Sequence, residues 1–385
     1  MLNHPNYTKS LFIALCGLLS TAVYAEISLI DQQGLISADD HLKLTSKGSL
    51  RLQALNFDRY NDSNQGMKYR RDGYSATSRL FFNADYQFTD DLHLIAKYAT
   101  FINPPKMLDW EGHYRQGESS ADTQELFAGI QSQQYGSLKF GKMYSIYYDV
   151  VGSKTDLWDY NTLGQPQTWS PVSHFDGTQA SSKTLRYEKK SEHIDFYAAY
   201  LFKDQTNTQD MQYQRKSGQE LAVDIHLSPN LSVATAWKHN RASLNDQDHQ
   251  HDFKQQSIAS SLFYFNGHWM LGLGAGWYKN LLPNSKLSDQ PQQKLAHYLN
   301  TEAYGLEYYL GYHFKIEDHG INFVQPYIMG DTLKVTQGDD LYRRDYGLGV
   351  AVRFNHGIGF DYERLYTQDS FNTPDMHLFR LRYEW

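Results

Sequence analysis

Apolar and polar residues alternate with a period of two along most of this chain. In 78–88 the even positions are Leu80, Phe82, Ala84, Tyr86 and Phe88, and the odd ones are Arg79, Phe81, Asn83, Asp85 and Gln87. One face is apolar and the other mostly polar, as expected of a strand with different media on its two sides. The same pattern fills 194–202, 304–314 and 346–354, and it closes the chain, where Phe379, Leu381, Tyr383 and Trp385 oppose Arg380, Arg382 and Glu384. Connectors alternate in length. Short ones, most with hairpin turn chemistry, fall at 89–91, 135–137, 191–193, 228–230, 266–268, 315–320 and 355–357. Long polar ones fall near 59–75, 103–122, 148–181, 204–215, 242–254, 281–299, 334–341 and 368–374.

Between them the pattern predicts sixteen strands, at 47–58, 76–88, 91–102, 123–134, 137–147, 182–190, 193–203, 216–227, 230–241, 255–266, 268–280, 300–314, 320–333, 342–354, 357–367 and 375–385. An even count, long loops at one end, short turns at the other and a Leu/Phe/Tyr/Trp-rich face describe an all-β, 16-stranded antiparallel transmembrane β-barrel. A soluble sandwich would use strands of about five or six residues, and a propeller would repeat at a fixed period. Within hydrocarbon a sheet must close on itself to pair its peptide groups. At sixteen strands the interior is too wide for side chains to fill, which makes it a water channel. Trp237, Trp269, Trp277 and Trp385 end apolar faces and suit interfacial girdles.

Composition narrows the function. The chain has 36 Lys+Arg against 43 Asp+Glu, a net charge of -7, so no nucleic acid is expected as a partner. No segment after the N-terminus supplies the roughly 20 apolar residues of a spanning helix, and an aromatic content of 15% argues against disorder. Residues 1–25, with Lys9, an apolar run over 11–19 and Val23-Tyr24-Ala25, read as a secretory signal cut after Ala25. The remaining 26–385 form one barrel domain. Cys16, preceded by Leu15 rather than a small residue, does not suit lipidation, and it is the only cysteine, so no disulfide stabilises the exported chain.

Several segments carry a family likeness: Ser78-Arg79-Leu80-Phe81-Phe82, Leu126-Phe127-Ala128-Gly129-Ile130, Tyr135-Gly136-Ser137-Leu138-Lys139-Phe140-Gly141-Lys142 followed by Tyr148-Asp149-Val150-Val151-Gly152, Leu185-Arg186-Tyr187, and a terminal aromatic. With the leader and Glu26-Ile27 at the mature start, this resembles the trimeric general diffusion porins of Gram-negative outer membranes. The resemblance implies a homotrimer in outer-membrane lipid and lipopolysaccharide, passive diffusion of small hydrophilic solutes, and no cofactor. It also implies that loop 148–181 folds into the pore and faces a basic wall. Arg79 and Arg186 match the family's pore arginines. Lys142 matches a third but shares parity with Leu138 and Phe140, so it faces the pore only through a bulge. Arg51, Arg380 and Arg382 have lumen parity and extend the basic wall. Asp149, Asp156, Asp159 and Asp176 are the candidates for the acidic side. The family's Pro-Glu-Phe-Gly-Gly segment is absent and Leu157-Trp158-Asp159-Tyr160-Asn161 stands in its place.

Other readings remain open. Trp110, Trp158, Tyr160 and Trp169 lie in long loops and suit a sugar-stacking track of a substrate-specific channel, or simply loop packing. A barrel enzyme would need a nucleophile with a base, yet there is no nucleophile elbow and no His-Glu-x-x-His, and the 16 histidines are scattered. Asp246, Asp248, His249, His251 and Asp252 form the one metal-like cluster, with His249 and His251 as a weak chelating pair or as part of an acidic solvated loop. An adhesive role through the loops fits any exposed barrel.

Overall fold

The computed structural model describes residues 26–31, 36–37, 41–58, 78–104, 121–158, 172–208, 211–245, 249–282, 299–318, 320–336, 342–370 and 374–385. Its strands are β1 (Ile27–Asp31), β2 (Ile36–Ser37), β3 (Leu42–Phe57), β4 (Ser78–Gln87), β5 (Leu92–Ile102), β6 (Ala121–Ser132), β7 (Gly136–Tyr144), β8 (Ala180–Lys189), β9 (Ile194–Leu201), β10 (Asp204–Thr208), β11 (Met211–Ser228), β12 (Leu231–Asn245), β13 (Gln250–Phe265), β14 (Trp269–Lys279), β15 (Glu302–Tyr312), β16 (Phe314–Asp318), β17 (Ile321–Thr336), β18 (Tyr342–Phe354), β19 (Ile358–Asp369) and β20 (Met376–Glu384). From β3 onward these make sixteen staves, because β10 continues β9 along β11 and β16 continues β15 along β17. Every stave is antiparallel to its neighbours, and β20 pairs with β3 from Met376 opposite Phe57 to Glu384 opposite Ser49, closing the barrel. The unexpected β1 lies against the start of β3, where the Glu26 carboxylate accepts hydrogen bonds from Thr45 and, at 2.7 Å, from Asn83.

The barrel is inside out relative to a soluble protein. Leu52, Leu126, Phe140, Leu306 and Leu348 are more than half exposed on its outside, while Arg186, Arg215, Lys238, Glu307 and Glu363 are buried within. Such an apolar belt is stable only against lipid. Trp237, Ile258, Trp277 and Tyr304 stand in one row across β12–β15 near the loop end. At the turn end Trp269 meets Tyr312 edge-on at 4.8 Å and Tyr383 stacks on Trp385.

The structure corrects two expected loops. Segments 204–215 and 242–254 are mostly strand, because β10–β11 and β12–β13 continue as hairpins above the belt. The 16 residues of β13, at about 3.4 Å each, exceed the hydrocarbon thickness. Above Trp237 the outward positions of β12 turn polar, His239 and Arg241, while Ala242, Leu244 and Tyr213 pack inward on Val172 and Leu282. The sign of the amphipathicity inverts there, as it must once water replaces lipid outside, so the membrane pattern no longer marks these residues as strand. The expected turn 315–320 is likewise largely occupied by β16, and 145–147 leave the wall as loop.

The described parts of the segment that follows β7, 145–158 and 172–179, enter the barrel. The first contains a π-turn, Tyr147–Val151, and a 3-10 turn, Gly152–Lys154. Ile146, Tyr147, Val150 and Val151 pack on inward Ala222, Ala234, Ala236, Ala259 and Ala303. These alanines, with the glycines of β14, form a recess across β11–β15. A Cβ added to Gly272 would stand 2.6 Å from the Lys154 carbonyl oxygen and 2.9 Å from Leu157. Gly272→Val is therefore expected to displace the loop at a cost of about 1–3 kcal/mol while the barrel still closes. Limited proteolysis of the folded protein should then cut within 145–179; unchanged protection would contradict this packing.

Candidate functional site

Arginines gather where the first and last staves meet. Arg382 on β20 is directly opposite Arg51 on β3, and Ser49 beside Arg51 is opposite Arg79 on β4. Adjacent like charges on a sheet repel, and two carboxylates interrupt them. Glu384 lies 3.2 Å from Arg382 and 3.6 Å from Arg51, and Asp361 pairs with Arg382 and, at 2.7 Å, with Arg353 of β18. Arg380 donates to Gln53 at 2.6 Å. The row holds five guanidinium groups, Arg51, Arg79, Arg353, Arg380 and Arg382, against Asp361 and Glu384. Arg79 has no carboxylate within ion-pair distance among the described residues.

The inner loop faces this row from the far wall. Lys154 binds Asp224 at 2.8 Å and Ser232 at 2.6 Å, Thr155 donates to Glu307 at 2.8 Å, and the Ile146 amide donates to Glu220 at 2.9 Å. Its return leg is held by Arg215, which donates to the Phe175 carbonyl, and by Asn240 and Gln255, which donate to Asp176 at 2.5 and 3.0 Å. The charge of Arg79 reaches the phenols of Tyr144 and Tyr148 at the root of the loop. Burial, and then the Asp156 carboxylate, hold the Tyr148 phenol well above its ordinary range, so it stays protonated and donates to Asp156.

The residues expected from sequence divide into those the fold gathers and those it separates. Arg51, Arg79, Arg380 and Arg382 form one group. Arg186 is buried elsewhere, bound to Asp149 at 2.6 Å and to Glu188 at 2.6 Å, with Lys139 on Glu188 at 2.9 Å; it ties down the loop root. The bulge that Lys142 requires is present, with Gly141 at φ 146° and a register shift before Met143. Its ammonium, however, caps the Thr123 carbonyl and acts on His174. Asp176 is fully buried beside Lys238 and Thr178 and lines no open lumen. Asp159 lies outside the described residues, as do Trp110, Tyr160, Trp169, Asp246 and Asp248. Trp158 is buried against Tyr309, Tyr327 and Met329 and offers no stacking face. His249 and His251 have ring centroids 6.2 Å apart, and no group of three metal-ligating side chains occurs among the described residues. The sequence reading missed Arg353, Asp361 and Glu384 of the row, and Lys154, Asp224 and Glu307 of the loop anchor. Lumen parity marked Arg353 and Glu384, and the small inward residues of β11–β15 marked the loop's recess.

No curated protein matches the chain in sequence. Among solved structures, OmpF of Salmonella typhi in complex with daunomycin is similar at a TM-score of 0.68 and 18% identity, over 91% of this chain and 99% of that one. OmpT of Vibrio cholerae, folded in vitro and in its trimer form, is similar at 0.59 and 14% identity, over 90% and 100%. The anion-selective porin of Comamonas acidovorans is similar at 0.61 and 12% identity, over 89% and 100%. The model of the Gram-negative porin family matches residues 13–375. With a closed sixteen-stave barrel, an apolar outer belt and a charged lumen, the chain belongs to the Gram-negative porin family and is an outer-membrane channel for passive diffusion of small hydrophilic solutes and ions.

Proposed function

We propose that each chain is one pore of a homotrimer, that transport involves no covalent step, and that the arginine row and the inner loop together set the narrowest section. Residues 1–25 are the export leader, 26–385 a single barrel domain, and the belt contacts lipid and lipopolysaccharide. The trimer form of the similar OmpT supports the assembly. The excess of guanidinium over carboxylate in the row carries the constriction, and low-dielectric walls strengthen its field on passing ions. The chain's net charge of -7 counts for less, since charges beyond about 8–10 Å are screened at physiological salt. The row therefore gives a weak preference for anions.

Replacing Arg51 and Arg79 together by Gln is expected to move the reversal potential in a KCl gradient toward cations, whereas an unmoved potential would remove them from the constriction. Arg186→Gln should act differently, since its charge is already matched by Asp149 and Glu188. It is expected to raise current noise by loosening the loop root, with a smaller change in selectivity. In planar bilayers the purified protein should close in three voltage-driven steps.

The loop also gives a pH dependence. Burial, with the Lys142 charge adding, holds His174 below its ordinary value of 6.5. A displaced loop therefore takes up a proton more readily than a packed one. The packed state keeps its full advantage above pH 6.5 and loses it as pH falls below. Current interruptions are expected to become more frequent below pH 6.5, and His174→Asn should flatten that rise.

A further inference from the structure

Two phenylalanines face the water-filled side of the wall opposite the inner loop. Phe81 of β4 and Phe127 of β6 have lumen parity, and both are only partly buried. Three cations surround the Phe81 ring: Lys97 at 5.4 Å, Lys47 at 5.6 Å and Arg79 at 5.7 Å from its centroid. Lys139 stands 5.5 Å from the centroid of Phe127. Lys97 is directly opposite Phe127, which joins the two groups into one patch. The residue directly opposite each ring on one neighbouring strand is small, Ala99 for Phe81 and Gly141 for Phe127, so Lys97 and Lys139 of those same strands reach the rings only diagonally. Ring faces in water normally cost free energy, and a cation near each recovers part of it.

The charges on this patch are unevenly matched. Lys97 is paired with Glu125, and Lys139 with Glu188 at 2.9 Å. Asp85 is engaged by His93 at 2.7 Å, and Glu26 by Thr45 and Asn83. Lys47 and Arg79 have no carboxylate within ion-pair distance among the described residues, although Lys47 feels the field of Glu26. The described part of the inner loop is anchored on β11–β15, and Phe81 and Phe127 keep part of their surface accessible.

We propose that this patch is a transit site for aromatic carboxylates, the class to which benzoate belongs. The solute ring packs on the accessible part of Phe81 or Phe127, and its carboxylate takes Lys47 or Arg79. Either contact alone is weak in an aqueous channel. A solute offering both, at the spacing of a phenyl ring and its carboxylate, is retained over one offering either. This deepens the porin reading and rests on it.

The test uses the full-length purified protein in planar bilayers in KCl, with benzoate, acetate or benzyl alcohol added. Benzoate is expected to interrupt the current at a concentration about fivefold below that of acetate, the scale of one aromatic stack, and benzyl alcohol to interrupt it little. In Phe81→Leu/Phe127→Leu, which keeps bulk but removes the ring face, the benzoate-to-acetate ratio should fall toward one, each variant being normalised to its own KCl conductance. Lys47→Gln should lower benzoate and acetate interruption together. A channel that conducts KCl yet treats benzoate and acetate alike overturns the site and leaves the porin reading intact. So does a ratio unchanged in the leucine variant. A protein that does not conduct defeats both readings, and should the variant fail to fold, the wild-type solute series decides alone.

Discussion

Within a bilayer no water is available to satisfy a peptide group, and each unpaired N–H or C=O costs several kcal/mol. The pairing of β20 with β3 answers that demand, because it joins the edges of the first and last staves. Much else follows from this closure. Staves joined by hairpins run antiparallel, and an even number returns both termini to the short-turn end. The outer face must then be apolar and the inner face polar, which is the alternation along the chain. Above the belt the constraint lapses, and there β10–β13 adopt the opposite arrangement, with Tyr213, Ala242 and Leu244 buried inward.

The inner loop is the exception to regular pairing, and it brings its own anchors. Its backbone is shielded from lipid by the wall, so irregular geometry is tolerated where it lines a cavity. Glu220 receives the Ile146 amide, Glu307 receives Thr155, and Lys154 spans to Asp224. Buried charges are costly unless matched, and the interior obeys this wherever it builds structure: Arg186 with Asp149 and Glu188, Lys238 with Asp176. The arginine row departs from that rule. Arg51 and Arg380 are buried with like charges beside them. Arg79, which is only partly buried and has no carboxylate within ion-pair distance among the described residues, is where the surplus charge meets the lumen and can be hydrated. Phe81 and Phe127 are the mirror case, apolar groups set in a polar wall beside cations.

The period-two pattern was enough to find all sixteen staves, most boundaries to within a few residues, because every stave in the belt separates two media. It failed at 204–215 and 242–254, where water lies outside and packed protein inside, so the alternation changes sign and no longer carries the mark of a membrane strand. Parity likewise identified Arg51, Arg79, Arg380 and Arg382 as inward. It could not distinguish them from Arg186, which is equally inward but neutralised. That distinction depends on Asp149, which lies 37 positions earlier in sequence and arrives only through the fold of the loop.

Sequence by itself thus determined the architecture, the membrane belt and which side each charge faces, since these depend on local alternation and on the solvent each face meets. Tertiary structure alone decided which charges stand together, through the register of β20 on β3 and the path of the inner loop. Asp361 and Glu384 neutralise part of the arginine row, Asp176 is withdrawn from the lumen, and Lys142 turns to Thr123 despite its bulge. Electrostatic coupling falls off with distance in space, and distance in space between residues remote along the chain is what folding sets.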